Sequence, residues 1–332
     1  MAKRKVTIQD IANHAKVGVG TVSRVLNDSP DVSAHTRQRV LQAIEELEYR
    51  PSFAARLMRT GTSNIIGFIT DAVASTPYAV DIIKGAQSVA SASDKLLLVV
   101  NSDGDTNTER WAVEALLERG VEGIIYAAMY HHEVAPPDAI RQVPTVLLDC
   151  FDARQSFPSV VPDEVGAARQ AADILLAKGH RRIAFLNLLP RSIPAHSGRL
   201  TGFWEGLQAA GVYDPELVFA VHDRPPGGYD VTRELMQRPD PPTAIFCGTD
   251  RIAMTVYNAL CELRLRIPDD VAVMGFDNLA LIAEGLNPPL STIALPHYQM
   301  GRWAVQYLLE NRDELEPIQL KMECPYVERA SV

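Results

Sequence analysis

The chain has 332 residues, 47% of them hydrophobic and 22% charged, a balance that excludes a disordered polymer and suits two or three compact units. Its net charge of −9 is unevenly divided: residues 1–62 hold ten Lys/Arg against six Asp/Glu (+4), and the rest holds 22 against 35 (−13). A basic head on an acidic body turns one end toward phosphate and keeps the other off it.

Cys150, Cys247, Cys261 and Cys324 are widely spaced and form no C-x-x-C pair, so free thiols are expected rather than disulfides or metal ligands. Met1-Ala-Lys-Arg-Lys resembles the start of a signal peptide, but the polar TIQDIANH follows where an apolar run should be. No apolar stretch approaches the roughly 18 residues needed to span a bilayer. A soluble, cytoplasmic protein with no membrane partner, cofactor or metal is expected.

In chain order, Val6 to Asn27 outlines two short helices. Thr7 is the first N-cap, with Asp10 as an acidic variant of a capping box. Ile8, Ile11, Ala12 and Ala15 repeat on one helix face, Lys16-Val17-Gly18 breaks the pattern, and Val22, Val25 and Leu26 resume it. Two such helices joined by a glycine-containing turn outline a helix-turn-helix, whose second helix enters the major groove. Ser33 then caps a third helix with Val40, Leu41, Ile44 and Leu47 as its buried stripe, and Pro51 opens a short helix to Met58. Thr-Val-Ser-Arg-Val-Leu-Asn (21–27), Thr-Arg-x-x-Val (36–40) and Tyr-x-Pro-x-x-x-Ala-Arg (49–56) together resemble the DNA-binding headpiece and hinge of the lac repressor family. The similarity extends nearly to the C-terminus.

Beyond Ser63 the rhythm becomes strand, helix, strand. Strands are expected at 65–70, 96–101, 121–126 and 145–149, with helices at 78–93 and 108–119. A second series follows, with strands at 182–187, 218–221, 244–248 and 271–276 and helices at 166–178, 198–210, 229–238 and 250–263. Short apolar strands between helices indicate parallel sheets covered on both faces. The fold class expected is an all-α helix-turn-helix headpiece plus an α/β core of two doubly wound lobes, which the resemblance makes periplasmic-binding-protein-like. The divisions are 1–50 for the headpiece, 51–62 for hinge and linker, 63–162 with 291–318 for the N-terminal lobe, and 163–290 with 319–332 for the C-terminal lobe.

Ligands of such sheets bind outside the carboxyl ends of strands. Asp149, Asp163, Thr249, Asp250 and Asp277 lie there, and Arg199 lies just inside a helix start. Asp250 fits best as a simple opening residue for the next helix. The resemblance implies that Ser197-Gly-Arg-Leu-Thr-Gly-Phe203 and Val273-Met-Gly-Phe-Asp-Asn278 supply the Arg and Asp that hold effector hydroxyls. It also points to Tyr78 in the first strand-to-helix loop. After Val218, where relatives often carry a stacking aromatic, this chain has Arg224. With Arg199 and Arg191 it suggests an anionic effector, such as a sugar phosphate or carboxylate.

On the head, Val19, Gly20, Ser23 and Arg24 face the groove, and Thr21 and Asn27 reach phosphate or bases. Arg24 is suited to a bidentate grip on guanine, whereas Gly20 has no side chain to read with. Thr7 completes the head's candidate DNA contacts. The resemblance implies that the 51–58 segment pairs with its dimer mate in the minor groove, with Ser52, Ala55 and a Met58 wedge at the DNA. The partners implied are a pseudo-palindromic operator, a sugar-like effector and a second copy of the chain, since no leucine heptads follow Glu323. The alternatives are a sugar-binding receptor without a DNA role, or an α/β enzyme. The enzyme lacks support: G-x-S-x-G, P-loop and G-x-G-x-x-G are absent, and His132-Glu133 lacks the second histidine of a zinc protease motif.

Overall fold

The computed structural model describes residues 6–49, 63–77, 79–189, 193–312 and 314–332. The chain separates into two compact units, residues 1–63 and 64–332.

In the first unit α1 (Ile8–Ala15), α2 (Val19–Leu26) and α3 (Ala34–Glu46) close over Ile11, Ala12, Ala15, Val22, Val25, Val40 and Ala43. Thr7 Oγ1 accepts from the Asp10 N–H at 3.3 Å and Asp10 Oδ2 accepts from the Thr7 N–H at 2.8 Å, a reciprocal capping box. Lys16, at φ 51°, turns the chain through the left-handed region. Gly18 then opens α2 without a side-chain cap. The Arg39 guanidinium donates to the carbonyls of Ala15 and Lys16, tying α3 to that turn. One expected core position is corrected: Leu41 is 52% exposed. It lies about 100° around the helix from Val40, so Val40 and Ala43 carry the buried face, with Ile44 and Leu47 at its margin.

The second unit holds two six-stranded sheets. The first contains β1 (Ile65–Thr70), β2 (Leu96–Asn101), β3 (Ile124–Val134), β4 (Thr145–Asp152) and β5 (Ser159–Pro162), with α4 (Val80–Ala92) and α5 (Thr106–Glu118) on its faces. The second lobe adds α6 (Glu164–Ala177), β6 (Ile183–Leu188), α7 (Pro194–Ala209), β7 (Val218–Val221), α8 (Tyr229–Met236), β8 (Ala244–Cys247), α9 (Asp250–Glu262), β9 (Ala272–Asp277), α10 (Ala280–Ala283) and β10 (Ser291–Ala294). Then α11 (His297–Glu310) returns to the first lobe, β11 (Gln319–Met322) joins the first sheet, and β12 (Tyr326–Val327) joins the second. The strand orders are β11-β5-β4-β3-β1-β2 and β12-β10-β9-β8-β6-β7. β12 runs antiparallel to β10, and the other pairings are parallel. β1 is buried along its whole length, as a parallel strand covered on both faces must be.

This topology corrects two of the expected lobe boundaries. Ser291–Ala294 pairs with β9 in the second sheet, not the first, and Gln319–Met322 pairs with β5 in the first sheet, not the second. The chain therefore crosses between lobes three times, near residues 163, 295 and 324. Each of these strands is only four residues long, and local composition does not record which sheet it pairs with.

Glycines set the spacing of one helix pair in each lobe. A Cβ on Gly85 of α4 would lie 2.0 Å from the Tyr298 carbonyl oxygen of α11, and one on Gly202 of α7 would lie 2.0 Å from the Val165 carbonyl oxygen of α6. Backbones this close leave no room for any side chain.

Candidate functional site

The carboxyl ends of strands from both lobes meet around a cavity of about 210 Å³. Ligand pockets commonly start near roughly 300 Å³, so this one suits a single small ring rather than a long ligand. The first lobe contributes Met129, Tyr130, His131 and Asp149, and the second contributes Glu164, His196, Arg199, Asp223, Thr249, Arg251 and Asp277. Leu295 and His297 enter from a crossing segment.

Arg199 is the centre of the polar wall. Its Nε donates to Glu164 Oε2 at 2.7 Å and its Nη2 to Glu164 Oε1 at 3.2 Å, a two-pronged pair in which both partners are buried. Nη1 donates to the Gly248 carbonyl and lies 3.9 Å from Asp277 Oδ1. The guanidinium carbon sits 3.8 Å from the centre of the Phe276 ring, which fixes its plane. Both α6 and α7 must be in place for this arrangement, and the Gly202 contact brings them together. Arg251, the second cation, donates to Asp223 Oδ2 at 2.6 Å.

The carboxylates outnumber these cations. Burial pushes the Asp149 and Asp277 carboxyls well above the usual range, with Arg199 pulling the other way. Asp149 Oδ2 lies 3.8 Å from His297 Nε2, and Asp149 Oδ1 is buried without a hydrogen-bond partner among the described residues. His131 Nδ1 is likewise buried and unpartnered, and burial pushes its ring down to about 4. Asp149 and Asp277 both sit at positive φ, 56° and 111°. Such backbone costs about 1–3 kcal/mol at each position and is held by its surroundings. The wall thus presents acceptors that need donors, beside one guanidinium edge.

Of the residues expected from sequence, Asp149, Arg199, Thr249 and Asp277 line the cavity. Thr249 also caps α9, its hydroxyl accepting from the Ile252 N–H at 3.2 Å. Asp163 does not line it: its carboxylate accepts from the Gly166 N–H and caps α6. Arg224 does not line it either, and its neighbour Asp223 does. Tyr78 and Arg191 lie outside the described residues. Asp250 holds more than a helix start, since its carboxylate accepts from the Thr292 hydroxyl and the Leu279 N–H, each at 2.7 Å. Sequence reasoning missed Glu164, His131, Arg251 and His297. Glu164 was within reach, one residue past the strand end chosen. His297 opens the returning helix, and His131 lies within the register shift of the β3–β4 pairing, so neither sits at a plain strand end.

On the head, Gly20, Arg24 and Asn27 are exposed at the i, i+4, i+7 spacing of one α2 face. Thr21 and Ser23 are half-buried beside them, while Val19 packs partly into the head core. The Thr7 side chain is engaged in the capping box. A Cβ on Gly20 would meet nothing within 4 Å, so packing does not require glycine there. Ser52, Ala55 and Met58 lie outside the described residues.

Residues 7–52 match the family model described as bacterial regulatory proteins, lacI family. Residues 63–330 match that of periplasmic binding proteins and sugar binding domain of LacI family. Similar curated proteins include the HTH-type transcriptional regulator RegA of Clostridium saccharobutylicum, 32% identical over 98% of each chain. The sucrose operon repressor of Escherichia coli is 33% identical over 98% of this chain and 99% of its own. Among solved structures, the lac repressor dimer bound to operator and the anti-inducer ONPF aligns over 99% of both chains with a TM-score of 0.82 at 27% identity.

Proposed function

Because this chain belongs to the lacI family of bacterial regulatory proteins, we propose that the interlobe cavity is its effector site and that a neutral, hydroxyl-rich ring occupies it. The chain is a DNA-binding transcriptional regulator whose partners are operator DNA, a small effector and a second copy of itself. The observation that carries the effector reading is the Arg199–Asp277–Asp149 wall: a fixed guanidinium edge next to acceptors, Asp149 Oδ1 among them still unpartnered. A hydroxyl pair can accept from the first and donate to the second.

This reading replaces the anionic effector suggested by the arginine count. Arg199 and Arg251 are each held by a carboxylate, and Arg224 is not part of the wall. The one guanidinium at the centre of the wall is thus already committed to Glu164 and to the Gly248 carbonyl. The cavity is a sensor rather than a catalytic site, in keeping with relatives that are regulators. Repression is the mode we assign, as for the sucrose operon repressor, with the work done in the cytoplasm. Among the described residues no helix is long and apolar enough to cross a membrane. For DNA contact we assign Arg24 the leading part, with Asn27, Ser23 and Thr21 beside it and Val19 and Gly20 at the groove floor.

A thermal-shift screen of the full chain against monosaccharides, their phosphates and matching sugar acids tests the effector. A bound ligand at a hundredfold its Kd adds about 2.7 kcal/mol, raising Tm by roughly 5–10 °C for a unit of this size. Neutral sugars should score and their phosphates should not, and the response should vanish in Asp277→Asn. A response to the phosphates alone would reverse the reading.

A further inference from the structure

Far from the cavity, at the amino ends of the first sheet's strands, lies a second buried charged cluster. The Glu122 carboxylate is almost wholly buried. It accepts from Lys95 Nζ at 2.6 Å, from Arg312 Nη1 at 3.0 Å and from the backbone N–H of Asn64 at 2.7 Å. Asn64, at φ 56°, is where the chain enters the core from the head, and its carbonyl accepts from the Leu96 N–H at 2.8 Å. One carboxylate therefore gathers the core's entry residue, an edge strand and the segment after α11.

The two ends of α11 meet these two places. His297, its first residue, stands beside Asp149 in the cavity, and Arg312 follows its last turn into the Glu122 cluster. Fourteen helical residues span about 21 Å. The body between the ends is held tightly. Met300, Ala304, Val305 and Leu308 are buried, Gly301 leaves no room for a Cβ against Ile82, and a Cβ on Gly123 would lie 2.8 Å from Leu308 Cδ1. A helix so confined moves as one piece or not at all.

We propose that α11 is a strut that carries the state of the cleft to the root of the DNA-binding arm through Arg312 and Glu122, with Glu122 as the positioning residue for Asn64. Only the cleft end of this strut rests on the effector reading. Spatial intermediacy alone does not establish coupling, so the measurement must be of coupling itself.

The test is a double-mutant cycle on the full chain, with duplex DNA selected in vitro by the wild-type protein and no effector present. Glu122→Gln keeps an acceptor for the Asn64 N–H while releasing Arg312, and His297→Gln alters the other end. Each should change the operator Kd at least threefold. Sites about 20 Å apart normally act independently, multiplying within about twofold, whereas a shared strut makes the double variant no worse than the poorer single. Hydrogen exchange gives a second readout: His297→Gln should speed exchange of the Asn64 amide although it lies at the far end of the helix. A purely structural cluster would lower the Tm of Glu122→Gln, leave operator affinity unchanged and leave Asn64 exchange in His297→Gln at the wild-type rate. That result, or simple multiplication in the cycle, overturns the proposal. Neither readout contains a ligand, so a failed sugar screen and a failed strut are separate findings.

Discussion

Gly202→Ala is the sharpest structural perturbation available, because its consequence runs from backbone contact to binding chemistry. The added Cβ would stand 2.0 Å from the Val165 carbonyl oxygen and 2.9 Å from the Arg169 nitrogen, where ordinary contact begins near 3.4 Å. Both obstacles are backbone, so no rotamer change relieves them. Restoring contact demands that α7 withdraw from α6 by more than an ångström. Overpacking of this kind costs about 1–3 kcal/mol, and each kcal/mol lowers Tm by roughly 2–4 °C in a unit of this size. The same withdrawal stretches the 2.7 Å bond between Arg199 on α7 and Glu164 on α6. Melting of the full chain should therefore show a core transition lowered by roughly 2–12 °C, together with weakened response to any ligand from the sugar screen. Gly206→Ala is the control: its Cβ would meet the Ala172 methyl at 2.8 Å rather than a backbone oxygen, so its loss should be smaller. A Gly202→Ala protein melting within 2 °C of wild type would refute the claim that this contact sets the site.

Three further outcomes are expected. Asp149→Asn removes a buried carboxyl whose ionisation burial opposes, and asparagine tolerates the φ of 56° well; Tm should hold or rise while ligand response is lost, and a fall of several degrees would count against the functional assignment. His131 is held neutral, its folded value near 4 against 6.5 for a free ring. The unfolded chain therefore binds the extra proton between those values, and stability contributed here falls as pH drops from 6.5 toward 4. His131→Gln should lose less Tm than wild type over that window, and parallel Tm–pH curves would show the ring to be solvated. Gly20→Ala should stabilise the head by about 0.5–1 kcal/mol, because its Cβ meets nothing and glycine is costly inside a helix; Gly20→Gln should alter which operator bases are preferred, read by repeating the DNA selection.

The parts of the molecule legible in the sequence were those governed by local rules. Thr7 and Asp10 announced a capping box, and the alternation of apolar strands with helices announced two parallel-sheet lobes. Asp149, Thr249 and Asp277 followed from the strand-end rule, and Arg199 from a helix start. What stayed hidden depends on long-range geometry. No local pattern says that Glu164 will turn to meet Arg199, 35 positions away. Arg224 stands out in the sequence through its charge, yet its neighbour Asp223 is the one that lines the cavity. Of the arginines whose count suggested an anion, Arg199 is engaged by Glu164, Arg224 does not line the cavity, and Arg191 lies outside the described residues.

On the proposed effector reading, the position of the cavity relative to the crossings gives a small ring a way to shift a protein of this size. A ligand moves a conformational equilibrium only through contacts that differ between states. Residues deep inside one lobe keep the same surroundings whichever way the lobes are turned. Glu164, Leu295 and His297 do not: Glu164 follows the first crossing, and Leu295 and His297 lie on the second. Two of the three crossings thus lie within one or two residues of side chains that line the cavity. Asp149 and Asp277 contribute one wall from each lobe, so a ring donating to both favours the lobe angle at which both are in reach. The resulting differential affinity sets the size of the response: a tenfold preference for one angle is worth about 1.4 kcal/mol, and moving a population from 1:99 to 99:1 needs about 5.5.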